Sequence, residues 1–339
     1  MATPIDTDTV TTSPVFISTA VLRSILSYKS LISHLQTSLP AASLSLSTPP
    51  RHSHATTPTS SLLLMPSWSS SSSLPYIGVK LVTYNPQNSS LNLPGVHATY
   101  VLFSSHTGQT LALMDATELT LLRTASISAL ASSYLSNNDA RVLIMVGAGY
   151  LAPHLIKAHL AVRPNLQRVI IWNRTPVKAT ALASDLRREK GFEGVVFDSC
   201  ECLEEVIILG DIVSCATNSE AALVAGERLK EGAHLDLVGS FTKTMRECDD
   251  EAIRRGRLFV DHEGAWEEAG ELVGAFERGV ISREDVCGNL VELIKGEKDG
   301  RKDSREITVF KSVGSGVVDI LAAQLIYETY LKESYKKQI

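Results

Sequence analysis

The six residues Gly147-Ala148-Gly149-Tyr150-Leu151-Ala152 have the G-x-G-x-x-A spacing of a turn that can receive a pyrophosphate. Gly147 permits the tight turn, Gly149 lets backbone approach the phosphates, and Ala152 lets a helix sit close on the preceding strand. Tyr150 and Leu151 complete the turn where free N–H groups and the positive end of a helix would face an anion. Beyond the next apolar run, an acid would accept from the ribose 2′-OH of NAD. This chain has Asn173-Arg174-Thr175 instead, and Arg174 suits a 2′-phosphate, the alternative being a solvated base at a helix start. The expectation is therefore NADP(H), with NAD(H) possible.

A second set of residues could hold an anion of a different kind. Residues 1–130 contain only five bases, of which Arg51, Lys80 and Arg123 lie outside the first helical stretch. Lys80 stands between Val79 and Leu81 on an apolar strand, where an unpaired ammonium would be costly. The three could converge on a substrate carboxylate, or they could be separate surface bases whose stems lie along apolar surface. Spacing alone leaves both readings open.

These residues need elements to hold them. Val142–Val146 is an uncharged apolar run, as in a parallel strand buried on both faces. A helical period follows from about Leu151 to Val162, and Val169–Trp172 closes a βαβ unit. Thr175 with Pro176 starts another helix, and strands follow at Gly194–Phe197, Asp211–Cys215, His234–Val238 and Leu258–Asp261. Earlier in the chain, 18–38 reads as one helix. Ser61–Met65, Gly78–Tyr84 and Ala98–Phe103 read as strands, with His106–Gln109 as a hairpin turn. Ser69–Ser73 reads as a surface loop, and Ala116–Leu135 as a helix carrying Arg123 and Thr124. Ile307–Lys311 is a last strand before a final helix, Val317–Lys332, whose apolar circumference requires burial.

Composition bounds the rest. At 339 residues, 44% hydrophobic and 20% charged, the chain is long enough for about two domains of ordinary globular type. A net charge of −5 gives no reason to expect nucleic acid or an anionic membrane as partner. No apolar run approaches the roughly 20 residues of a membrane span. The opening residues lack the basic start and apolar core of a signal peptide, so a cytoplasmic location is expected. The five cysteines, all after residue 199, match no metal set or disulfide framework, so no metal is expected.

Three stretches carry a resemblance: Leu113-Met114-Asp115 through Leu119-Thr120 to Arg123-Thr124-Ala125, Ile171–Thr175, and Val309-Phe310-Lys311-Ser312-Val313-Gly314. Met65-Pro66 and Lys80–Thr83 add to it. From about Val15 to Tyr330 the chain resembles the ornithine cyclodeaminase/μ-crystallin family. The resemblance implies an α/β fold in which a Rossmann-type NAD(P)-binding domain, 137–307, is inserted in a discontinuous α+β dimerisation and substrate domain, 1–136 plus 308–339. It also implies a homodimer acting on an amino or imino acid. Carried over, Arg51, Lys80 and Arg123 match the substrate-carboxylate cluster, with Asn173, Arg174 and Thr175 as the NADP-binding turn. Thr124, Thr217, Val238 and Ser240 line the cofactor, and Ser312 lies near the nicotinamide.

One departure bears on the reaction. The cyclodeaminases carry an acid/base Asp after the fifth strand, where this chain has Val238-Gly239-Ser240, and serine cannot do that work near neutral pH. The expectation is an NADPH-dependent reductase of a small, cyclic α-imino acid, on the ketimine reductase-like branch. The alternatives are NAD-dependent cyclodeamination of ornithine to proline and ammonia, or non-catalytic NADPH-dependent binding of a small molecule.

Overall fold

The computed structural model describes residues 13–91 and 93–336; most of the opening residues read above for a targeting signal lie outside them. The chain divides into two compact units, one of Met1–Leu26, Ala41–Thr120 and Gly316–Ile339, the other of Ser27–Pro40 and Leu121–Ser315.

The elements up to residue 135 are β1 (Val15–Ile17), α1 (Thr19–Ile25), α2 (Tyr28–Ser45), β2 (Leu46–Ser47), β3 (His52–Ala55), β4 (Ser61–Ser69), β5 (Tyr76–Tyr84), β6 (Val96–Ser104), β7 (Thr110–Asp115) and α3 (Ala116–Leu135). The single helix expected over 18–38 is two. Ser27 and Ser30 exchange bonds at 3.1 Å, each hydroxyl accepting from the other's N–H, which caps a new helix and stops the old one. The sheet of the first unit runs β1-β7-β6-β5-β4-β2, with β3 also on β4. It is antiparallel except for β1, which lies parallel to β7.

Alternation along β5 places Tyr76, Gly78, Lys80 and Val82 on one buried face. The C-terminal helix, Gly316–Lys336, packs on β4 and β5. It buries Val318, Ile320, Leu321 and Ile326, at about 1.5–3 kcal/mol for each fully buried aliphatic side chain. Its apolar circumference is thereby accounted for in part by the sheet.

The second unit contains β8 (Val142–Val146), α4 (Ala152–Val162), β9 (Arg168–Trp172), α5 (Pro176–Arg188), β10 (Val196–Cys200), β11 (Ile212–Cys215), β12 (His234–Leu237), β13 (Arg257–Val260), β14 (Val286–Asn289) and β15 (Thr308–Lys311). All eight strands are parallel, in the order β10-β9-β8-β11-β12-β15-β13-β14. The chain starts at β8, winds outward through β9 and β10, then returns to β11 on the other side. That reversal between β8 and β11 is the point at which doubly wound sheets open a crevice for ligands. The last strand, β15, is inserted between β12 and β13.

Polar groups inside this unit are satisfied locally. Arg163, at the end of α4, donates to the carbonyls of Ser132, Ser133 and Ser136 at 2.7, 2.9 and 3.0 Å, so one guanidinium closes the C-terminus of α3. Asp236 accepts from Ser214 Oγ at 2.6 Å and pairs with His159 Nε2 at 3.3 Å. Burial works to raise this carboxyl, but those two partners hold it below the ordinary carboxylate range.

Candidate functional site

Within the second unit, the residues singled out by sequence form a row at the carboxyl ends of neighbouring strands. Gly147–Ala152 follow β8, Asn173–Thr175 follow β9, Thr217 follows β11, Val238–Ser240 follow β12 and Ser312 follows β15. Parallel pairing in register makes the row.

The first turn fits an anionic group. Gly147 has φ 112°, and a Cβ there would lie 2.5 Å from the Ala216 carbonyl oxygen, so both conformation and space exclude a side chain. A Cβ on Gly149 would meet nothing within 4 Å; the glycine leaves open room beside the start of α4. That helix has no side-chain cap and no acid in its first turn. The N–H groups of Gly149, Tyr150 and Leu151 donate to no acceptor among the described residues. Free donors, a helix N-terminus and open space are what a pyrophosphate requires. Asn173 braces the turn: its Oδ1 accepts from Ala148 N at 3.1 Å and its Nδ2 donates to Thr175 O at 3.0 Å. Arg174 and Thr175 are exposed.

Ser240 is buried, and its hydroxyl faces inward, 2.5 Å from Glu271 Oε2 and 3.0 Å from the Met245 carbonyl. Ser312 is likewise buried and donates to Asp261 Oδ2 at 2.8 Å, an oxygen that also accepts from Val313 N and Gly314 N at 2.9 and 2.7 Å. His262 Nδ1 accepts from Gly264 N at 3.0 Å, so Nε2 carries the hydrogen and donates to the Gly314 carbonyl at 3.1 Å. Gly314 has φ 80°, and a Cβ on it would come within 2.5 Å of an Arg123 guanidinium nitrogen. The loop after β15 is therefore built tightly around Arg123, which is buried on α3 beside Thr124.

In the first unit, Lys80 meets an acid that sequence reading passed over. Its Nζ lies 2.6 Å from Asp319 Oδ2, and both side chains are buried. Tyr100, opposite Lys80 on β6, is fully buried with its hydroxyl 3.3 Å from Ser67 Oγ. Burial pushes this phenol far up, Ser67 opposes that, and Asp319 adds to it, so it stays neutral. A lone acid in the apolar run Val317–Ala323, matched to a lone base in an apolar strand, was the available signal. Arg51 is half-buried just before β3. Of the basic trio, Arg51 and Lys80 belong to the first unit and Arg123 to the second.

A model of the ornithine cyclodeaminase/mu-crystallin family matches residues 13–334. Protein SAR DEFICIENT 4 of Arabidopsis thaliana is 63% identical over 318 residues, 94% of this chain and 98% of that protein. The Δ(1)-pyrroline-2-carboxylate reductase of Colwellia psychrerythraea is 37% identical over 267 residues, 78% of this chain and 82% of the other. Among solved structures, the Thermococcus litoralis Δ(1)-pyrroline-2-carboxylate reductase in complex with NADH and L-proline has a TM-score of 0.88 at 31% identity, covering 94% of this chain and 98% of that one. The iminosuccinate reductase of Paracoccus denitrificans in complex with NAD+ has a TM-score of 0.82 at 26% identity, covering 95% and 97%.

These complexes overturn the expectation of NADP(H), since both hold the cofactor without a 2′-phosphate. The physical reason lies at Arg174, which is exposed and has no ion-pair partner among the described residues. Nothing among the described residues holds this guanidinium in place for a 2′-phosphate, and an exposed, unbraced charge contributes little to a pair. Among the described residues, no helix is long and apolar enough to cross a membrane, and no group of metal-binding side chains occurs.

Proposed function

This chain belongs to the ornithine cyclodeaminase/mu-crystallin family, and we propose that within it the protein is an NAD(H)-dependent reductase of a small cyclic imino acid of the Δ1-pyrroline-2-carboxylate class. The likeness to the reductase held with NADH and L-proline carries this reading. Position 240 supports it: a serine whose hydroxyl is spent on Glu271 offers no base for cyclodeamination.

When bound, the reduced cofactor supplies a hydride to the imine carbon, and a proton to nitrogen completes the conversion of C=N to CH–NH. The chain's own residues bind, orient and hold charge. Gly147–Ala152 take the pyrophosphate, braced by Asn173, and Thr175 and Thr124 complete the proposed cofactor set. Thr217, Val238 and the backbone at Ser240 and Ser312, whose hydroxyls turn inward to Glu271 and Asp261, form the edge for the nicotinamide end. Arg51 and Arg123 each offer a substrate carboxylate a charge-assisted bond, the kind of contact by which an enzyme orients a bound imine. Lys80, held on Asp319, keeps a proton at Nζ for the carboxylate or the imine nitrogen, and positive charge there polarises C=N. A homodimer belongs to the same reading, supported by the exposed Phe16, Leu44 and Trp68 of the first unit; sedimentation at micromolar concentration as a monomer would refute it.

The test is turnover. Incubation with NADH and Δ1-pyrroline-2-carboxylate should consume NADH and yield proline, while NAD+ with ornithine should release no ammonia above background. Ammonia release at ordinary enzymatic rates would replace this reading by the lyase.

A further inference from the structure

Beneath the ends of β11 and β12 lies a closed group of charges that the reaction above does not use. Glu247 and Glu271 are buried carboxylates, and Lys311 is the buried ammonium beside them. Glu247 spends both oxygens on the two strand ends. Its Oε1 accepts from Thr217 N at 2.7 Å and Thr217 Oγ1 at 2.9 Å, and its Oε2 accepts from Gly239 N at 2.8 Å. A Cβ on Gly239 would lie 2.1 Å from Thr217 O, so the two strand ends touch backbone to backbone. Glu247 is itself anchored, its N–H donating to Glu271 Oε1 at 2.8 Å. Glu271 Oε2 takes the Ser240 hydroxyl and stands 3.5 Å from Lys311 Nζ.

We propose that Glu247 is a positioning residue for the nicotinamide cofactor, its carboxylate locking Thr217 to Gly239 and so setting the edge on which the cofactor lies. The role rests on the reading of this chain as NAD(H)-dependent. An ionised carboxylate accepts from all three donors. A protonated one turns an oxygen into a donor that faces another donor, and the edge loosens.

Burial pushes the Glu247 carboxyl up to about 7; Lys311 from β15 opposes this, Glu271 from the helix Gly270–Glu277 adds to it, and the Thr217 bonds work downward. The other titratable groups facing the cluster are Cys215 at the end of β11 and Cys248 next in the chain. Burial holds both thiols well above their ordinary range, and they stay neutral. Two carboxylates share one ammonium here, and Glu247 changes charge near neutrality.

NADH fluorescence titration of the full chain at pH 6, 7 and 8 tests the role, with circular dichroism confirming the fold of each variant. Wild type should bind about tenfold more weakly at pH 6 than at pH 8, as for binding to the ionised form of one group titrating about 7. Glu247→Gln should bind more weakly than wild type at pH 8 and lose the pH dependence. Thr217→Val, which removes one bond to the carboxylate, should move the midpoint of the wild-type dependence to higher pH. A Glu247→Gln protein with the wild-type pH slope, or an unmoved midpoint in Thr217→Val, overturns the role. Flat NADH binding by wild type overturns the positioning role alone, whereas no NADH binding at any pH overturns the cofactor reading with it.

Discussion

Exchanging two buried groups in turn should tilt the pH dependence of stability in opposite directions. His234 is fully buried with Nδ1 2.9 Å from Thr308 Oγ1. Burial pushes its imidazole down to about 3; Asp236 works upward, and His159, Arg301 and Arg163 work downward. Unfolded, it titrates at about 6.5. Between those limits the unfolded chain binds a proton that the folded one refuses. The contribution is complete above about 6.5 and is lost as pH falls towards 3, at up to about 1.4 kcal/mol per pH unit. Glu247 does the reverse, because its folded value of about 7 exceeds the unfolded value of about 4.3. The folded chain holds a proton that the unfolded one has shed. That contribution is complete below about 4.3 and is lost as pH rises through 7.

From about 4.3 to 6.5 the two slopes cancel. His234→Asn leaves the Glu247 slope exposed, so the variant should gain about 2–3 kcal/mol on going from pH 6.5 to 4.5 relative to wild type. Glu247→Gln should lose a similar amount over the same interval. Urea unfolding at pH 4.5, 5.5 and 6.5 reads both, and every other titrating group is common to the two variants. Equal pH slopes in the two proteins would refute the reasoning.

Asp319→Asn removes the carboxylate 2.6 Å from a buried ammonium and should cost about 3–5 kcal/mol in urea unfolding. Imine reduction should fall about 10²-fold or more with it; wild-type stability and rate together would show that the pair does not hold Lys80. Arg174→Ala alters an exposed side chain, so the NADH dissociation constant should change by no more than about twofold. A tenfold loss, read by fluorescence titration, would mean that Arg174 contacts the cofactor.

What could be read along the chain is what is local. The βαβ unit and α3 announced themselves because an apolar run, a glycine turn and a helical period occupy consecutive residues, with bounds that the structure reproduces for β8 and α3. Strands β1 and β3 escaped because they are three and four residues long, and β3 is exposed along its length. The break between α1 and α2 was hidden in a serine pair that propensity treats as neutral. Among functional residues, Lys80 stood out as a base among aliphatics, but its partner lies 239 residues away. Glu247, 30 residues from Thr217, sits in an irregular segment where no periodicity marks an inward-facing acid. Arg174 was legible as a charge and misleading as a specificity signal, since exposure cannot be read from a residue type.

The insertion of β15 between β12 and β13 has a consequence for how this protein is made. Thr308–Lys311 forms an interior strand of the parallel sheet, yet it leaves the ribosome after every other strand of that sheet. Until it arrives, β12 and β13 have no neighbour on their facing sides, and each presents an unpaired row of N–H and C=O groups. Domains usually fold as they emerge, N-terminal part first; this sheet must instead wait for the strand that comes last in its chain order. Closing it requires contacts of long sequence separation, which slows folding. A nascent chain stopped short of Thr308 is thus a template for the edge of another, so premature termination here yields an aggregation-prone product rather than a smaller working domain.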